Sequence, residues 1–345
     1  MKVLVTGGSG FIGATLCLGL VARHPGWEVT ALDSLKRRGS ELNLPRLQAG
    51  GVRFVHGDIR SPEDLPAVGP IDALVECSAE PSVMAGVGES PGFVVQTNLM
   101  GAYNCLELAR REQAQVVFLS TSRVYPYRAL DALPYRETDT RFELDGPGIS
   151  EGFPLEGPRT LYGATKLAAE HLVTEYAAVY GLPTVINRCG VIGGPWQMGK
   201  VDQGIFSFWI LAHHAGRPLR YIGYGGMGKQ VRDLLHVEDL VELIDRQLSA
   251  PDEWAGRTVN VGGGRESSLS LREATELCRE LTGRTVPIAA AEEGRPGDVR
   301  VYLSDASRLY GLTDWRPSRG AAETLADIAA WVRDHERFVL PALEL

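Results

Sequence analysis

Residues 2–13 read KVLVTGGSGFIG, an apolar run that turns through Gly7, Gly10 and Gly13 into a segment of helical period reaching residue 23. Few backbones satisfy that order. Glycines between a strand and a helix permit a tight turn and let the main chain approach a ligand closely. The amides that open the helix, at Phe11, Ile12 and Gly13, favour an anion such as a pyrophosphate. The chain therefore begins with a strand–turn–helix unit shaped to hold phosphate.

Further apolar runs at 28–32, 52–56, 71–76, 115–119 and 183–187 alternate with helical segments. This predicts an α/β fold with a doubly wound parallel sheet of the Rossmann type. Residues 1–187 are read as the dinucleotide-binding domain, and 188–345 as a smaller C-terminal α/β substrate lobe, partly interleaved, with strands at 219–222, 230–234, 257–261 and 286–288. The stretch rich in Pro, Gly and acidic residues between Pro126 and Pro158 predicts a functional loop or lid.

A net charge of −8 with no basic stripe argues against nucleic acid or a membrane surface as partner. Five scattered cysteines indicate neither a disulfide framework nor a zinc site, so no metal is expected. MKVLVT opens directly on a strand pattern, with no basic and apolar leader and no run long enough to span a bilayer, and a soluble cytoplasmic protein is expected.

Asp33 ends the second apolar run, where a carboxylate accepts hydrogen bonds from an adenosine ribose and repels a 2′-phosphate. NAD is thus expected over NADP, although Lys36, Arg37 and Arg38 lie close enough to soften that preference. Asp58, with Ile59 beside it, ends the third run and is read either as an adenine contact or as a turn-capping group.

LYGATKLAAEHL sets Tyr162 and Lys166 four residues apart, which on a helix places both side chains on one face. A phenol is too weak a base near neutral pH unless its phenolate is stabilised. A neighbouring ammonium, together with the positive nicotinamide ring, lowers its pKa, so that Tyr162 takes a hydroxyl proton. The run 115–119 leads into Ser120, Thr121 and Ser122, and ligands in a doubly wound sheet lie beyond the carboxyl ends of the strands. Those hydroxyls are expected to face the cofactor. Thr121 is chosen as the catalytic one by its position before Val124 and Tyr125, and local backbone capping is the other use for Ser120 and Ser122.

Together TGGSGFIG, STSRVY and YGATK resemble the extended short-chain dehydrogenase/reductase superfamily, specifically its nucleotide-sugar epimerases and dehydratases. The resemblance spans nearly the whole chain and implies Thr121, Tyr162 and Lys166 as catalytic residues. It also implies a homodimer built through the helical segments 93–112 and 160–180. Asn98 is similar to the asparagine that supports the lysine through water; as a bare residue it is a packing or capping group. NRCGVIGGPWQMGKVDQG and GKQVRDLLHVEDL look most like the CDP-paratose/CDP-tyvelose 2-epimerase branch. There Arg232 resembles the arginine that clamps a substrate diphosphate, against a surface ion pair as the alternative. Gln197, Lys200, Asp202, Gln203 and Gln230 are further candidate contacts, and Glu80, Ser122, Arg123 and Arg188 complete the expected substrate set. His236 and Asp239 are read as anchors of the following helix, and Cys189 as a small buried group.

Two departures stand out. Glu76, Cys77, Ser78 and Ala79 replace the family's usual His-Leu-Ala-Ala, and Pro126 replaces the glycine after Val-Tyr. The resemblance places Asp-Glu after the catalytic threonine in 4,6-dehydratases, and here those positions are Ser122 and Arg123, which cannot serve as carboxyl base and acid. The expected function is therefore an NAD-dependent nucleotide-sugar epimerase acting at a carbinol carbon by oxidation and re-reduction, and the resemblance implies that this is carbon 2 of a CDP-deoxyhexose. A UDP-hexose 4-epimerase or another sugar-nucleotide epimerase or dehydratase is the runner-up, and a dinucleotide-sensing binding protein is the non-enzymatic alternative.

Overall fold

The computed structural model describes residues 1–200 and 203–342. Strands β1 (Lys2–Thr6), β2 (Glu28–Asp33), β3 (Arg53–His56), β4 (Ala73–Glu76) and β5 (Gln115–Thr121) come first. They are followed by β6 (Tyr135–Glu137), β7 (Phe142–Leu144), β8 (Thr184–Cys189), β9 (Val191–Gly193) and β10 (Leu219–Ile222). The last are β11 (Val231–His236), β12 (Arg257–Val261), β13 (Ser268–Ser270), β14 (Ile288–Ala291) and β15 (Val301–Tyr302).

Seven strands form one sheet in the order β12-β8-β5-β4-β1-β2-β3. β1 pairs in parallel with both β2 and β4, β2 with β3, and β4 with β5. The order reverses between β1 and β4, which opens a crevice at the carboxyl ends of those strands. β4 and β5 are buried along their whole length, as expected of central parallel strands covered on both faces. On one face Leu4, Leu74, Phe118 and Ile186 of the sheet meet Cys105 and Val173 of the helices Gly101–Glu112 and Leu161–Tyr180. Register brings Thr6, Glu76 and Phe118 side by side at the carboxyl end of that face.

The chain divides into two compact units. The first comprises Met1–Val124, Leu161–Arg188 and Leu240–Val259; the second comprises Tyr125–Thr160, Cys189–Asp239 and the residues from Asn260 on. The 126–158 stretch therefore belongs to the second unit, and it carries the short helix Tyr127–Asp131 and the β6–β7 hairpin rather than a bare loop. The strand expected at 257–261 in the substrate lobe is instead β12, an edge strand of the large sheet beside β8. Its apolar pattern predicts a strand but does not say which sheet it joins.

In the second unit β11 pairs with β9 and β15 in parallel and with β13 antiparallel, while β10 and β14 make a separate parallel pair. The helix Ile205–Ala215 buries Trp209, whose indole N–H donates to Thr275 Oγ1 at 2.9 Å. A capping box starts the helix Leu271–Thr282, with Ser270 and Glu273 each accepting from the other's amide. Among the described residues no helix is long and apolar enough to cross a membrane.

Candidate active site

Gly7 takes a left-handed φ of +63°, and a Cβ there would sit 3.0 Å from the main chain of Cys77 and Ser78. A Cβ on Gly8 would lie 2.6 Å from that of Ala31, and one on Gly13 would lie 2.2 Å from Gly7 O. Those three positions are closed by the protein itself. At Gly10, the N-cap of the helix Phe11–Arg23, a Cβ would meet only Gly7 O, at 3.1 Å. The first turn of that helix has neither an acidic residue nor a side-chain cap. The cradle therefore suits a dinucleotide pyrophosphate by close approach and by amide donors.

Asp33 joins this loop. Its Oδ2 accepts from Ser9 N at 3.1 Å and its Oδ1 from Leu35 N at 2.8 Å. Burial raises its pKa against the pull of these amides. An ionised carboxylate has about four acceptor sites, so capacity remains for a ribose. Lys36 leans over the Phe93 ring at 4.6 Å from its centroid. Asp58 accepts from Arg60 N at 2.9 Å and from the Arg60 guanidinium, which holds the carboxyl below its usual range. Ile59, expected beside the cofactor, has its side chain buried in the core, where Gly101 has room for it only by lacking a Cβ.

Lys166 and Glu76 are each 2% exposed, and Lys166 Nζ meets Glu76 Oε2 at 3.1 Å. The ammonium also lies 4.0 Å from the centre of the Phe118 ring. Tyr162, half-buried, stands one turn earlier on the same helix. A Cβ on Gly163 would lie 2.0 Å from Arg123 O, so the helix rests directly on the turn Ser122–Val124 that follows β5. That glycine brings the helix carrying Tyr162 against the turn that directly follows Thr121.

The two hydroxyls that close β5 part company. Ser120 Oγ donates to Glu170 Oε1 at 2.5 Å, so it turns onto the helix Leu161–Tyr180. Thr121 Oγ1 accepts from Arg123 N at 3.2 Å, the local turn bond assigned in expectation to its neighbours. Arg188, expected to contact substrate, is 6% exposed and bound by Glu170 through Nε at 3.1 Å and Nη2 at 2.7 Å. A buried guanidinium requires such a partner. Asn98 sits on a π-helical turn, Gln96–Met100, of the kind often found at functional sites. Its amide accepts from Glu80 N at 2.8 Å and donates to Glu80 O at 3.0 Å and to Thr165 Oγ1 at 3.2 Å. It thus pins the segment after β4 to the helix of Tyr162 and Lys166, while the Glu80 carboxylate accepts from Ser82 N.

In the second unit, Arg232 donates to Asp298 Oδ1 at 2.6 Å and to Val231 O at 2.8 Å. Gln197, expected to contact substrate, donates to Ile192 O and accepts from Ser207 Oγ, both ends of its amide turned inward as a strut. Gln230 donates to Ile222 O at 2.6 Å. Lys200 and Gln203 are bridged through their main chains, and Asp202 lies outside the described residues. His236 Nδ1 accepts from Glu238 N at the start of the helix Val237–Ser249, whereas Asp239 holds the amides of Ser318 and Arg319. Cys189 is buried.

Three contributors escape a reading by motif: Gly163, Glu76 and Glu170. Each left a signal. A glycine within a helix costs about 1 kcal/mol against alanine and so asks for a close contact. A carboxylate ending a buried strand, or on the inward face of a helix, asks for a buried cation.

The chain that builds this glycine cradle and Tyr–Lys helix face is similar to known proteins. The model of the NAD dependent epimerase/dehydratase family matches residues 3–262. A CDP-paratose 2-epimerase from Salmonella typhi is 30% identical, with 96% of this chain and 99% of the relative covered. A dTDP-glucose 4,6-dehydratase from Mycobacterium tuberculosis is also 30% identical, covering 99% of this chain and 96% of the relative. The crystal structure of a Thermus thermophilus UDP-glucose 4-epimerase in complex with NAD superposes with a TM-score of 0.81 at 28% identity, over 96% of this chain and 99% of that one. The chain belongs to the NAD dependent epimerase/dehydratase family, with NAD as its cofactor.

Proposed function

We propose that the protein is a nucleotide-sugar epimerase that inverts a carbinol carbon, carbon 2 of a CDP-linked deoxyhexose, through a transient ketone. The observation that carries this reading is the Ser122–Val124 turn, which offers a hydroxyl and a guanidinium where elimination needs a carboxylate and a carboxylic acid. Bound NAD supplies the hydride acceptor and, once reduced, the donor that serves the opposite face of the sugar. Tyr162 takes the proton from the sugar hydroxyl and gives it back to the ketone oxygen. Lys166 stabilises its phenolate, and Thr121 hydrogen-bonds the reacting oxygen. The near full-length similarity to a CDP-paratose 2-epimerase supports this sugar, and the likeness to a UDP-glucose 4-epimerase supports the runner-up.

Protein incubated with CDP-paratose in deuterated buffer and followed by NMR tests the reading. CDP-tyvelose without solvent deuterium is the expected product. Deuterium at the inverted carbon refutes hydride transfer, and turnover of UDP-glucose alone moves the assignment to the runner-up.

A homodimer through the helices Gly101–Glu112 and Leu161–Tyr180 is part of the proposal. Exposed Tyr103, Leu161, Val179 and Tyr180 on these helices support it. Light scattering at twice the chain mass is the expected result, and a monomer mass refutes it.

A further inference from the structure

Glu76 has no part in the chemistry so far, yet its carboxylate ends a central strand at 2% exposure, on the ammonium of Lys166 at 3.1 Å. An ammonium has three donors, and one of them is taken here by a group that no proton transfer requires. The surroundings leave Glu76 few other partners. β1 presents Thr6 and β5 presents the Phe118 ring, neither of which titrates. The helix Gly101–Glu112 presents Cys105, whose thiol burial and the Glu76 charge push well up. The helix Leu161–Tyr180 presents Lys166 with Tyr162 one turn away, and the amide of Ser78 also bonds the carboxylate. Burial raises the Glu76 pKa, and Lys166 is the main force against that rise.

We propose that Glu76 is a positioning residue for Lys166: its carboxylate fixes the ammonium at the end of β4 and offsets part of the positive charge felt by Tyr162. The proposal rests on Tyr162 being the base. It predicts that removing the carboxylate charge leaves the ammonium uncompensated, and an uncompensated cation favours the phenolate.

The test is an ultraviolet titration of tyrosinate in the NAD-loaded and dinucleotide-free protein, with Y162F identifying the Tyr162 component. E76Q is expected to lower that midpoint by about one unit, and E76D to restore it. A folded E76Q whose Tyr162 midpoint is unmoved overturns the proposal. Should E76Q fail to fold, E76H, uncharged above neutral pH, is expected to show the same downward shift, and an unmoved midpoint there overturns it equally. No sugar is present in this titration, so its failure is distinct from a failure of the substrate assignment.

Discussion

Replacing Gly163 with alanine puts a single methyl group where the structure has none to spare. The new Cβ would lie 2.0 Å from Arg123 O and 2.8 Å from Arg123 C, against a limit of 3.0 Å below which real Cβ atoms essentially never come. Both partners are main chain, so no rotamer relieves the contact. To go from 2.0 to 3.0 Å, the helix Leu161–Tyr180 and the turn Ser122–Val124 must separate by about 1 Å. Overpacking of this kind costs roughly 1–3 kcal/mol, and the better helix propensity of alanine returns about 1 kcal/mol. The net loss of stability is then roughly 0–2 kcal/mol, small beside the effect on geometry. A displacement of about 1 Å between Tyr162 and Thr121 is expected to lower kcat roughly 100-fold. Thermal unfolding and sugar-nucleotide turnover on the same preparation separate the two effects. A folded G163A protein with the wild-type rate would refute the argument, because it would show slack where helix and turn are taken to be in contact.

Gly13→Ala meets Gly7 O at 2.2 Å and should weaken NAD binding at least about tenfold by calorimetry, since the glycine loop must open to admit the methyl. Glu170→Gln leaves the buried Arg188 guanidinium without its carboxylate and should cost about 3–5 kcal/mol in urea denaturation. Asp233, buried with Oδ2 accepting from Gly264 N at 3.2 Å and Ser304 N at 3.1 Å, has its pKa pushed up from 3.8 to about 6 by burial, against the Ser304 hydroxyl and these amides. Because the folded protein holds that proton more tightly than the unfolded chain, stability from this group is full below about pH 4 and is lost as pH rises through about 6, a fall of roughly 3 kcal/mol. Asp233→Asn should flatten this part of the stability-against-pH curve, and a variant that keeps the wild-type slope would assign the slope to other groups.

Local pattern carried the reading of elements further than the reading of contacts. KVLVTGGSGFIG specifies strand, turn and helix within a dozen residues, and the structure adds only which atom closes on each glycine: Cys77 on Gly7, Ala31 on Gly8, Gly7 on Gly13. At β12 the same kind of reading fails, because TVNV says strand whether it joins the large sheet or another. Arg232 and Gln197 mark a harder limit. Their residue types suit phosphate and sugar, but Asp298 lies far along the chain from Arg232, and neither it nor the pocket for the Gln197 amide has a periodic signature.

The buried acids are a different case, because burial was predictable and only the partner was hidden. Once Lys166 is placed on the inward face of its helix, Glu170, four residues on, must share that face, and helical period carries the face on to Val173 in the core. A carboxylate so placed needs a cation or a proton, and Arg188 at the end of β8 supplies the cation. The same reasoning applied to Glu76 calls for a cation near the end of β4. Of the inward-facing groups on the helix that packs there, Lys166 is the basic one. Glu76 is thus one of the points at which this chain departs from the sequence usual among the proteins it resembles, and under the proposal above it gives the ammonium of Lys166 a fixed counter-charge. Under that proposal, a carboxylate at this position changes how firmly the phenol of Tyr162 is held ionised.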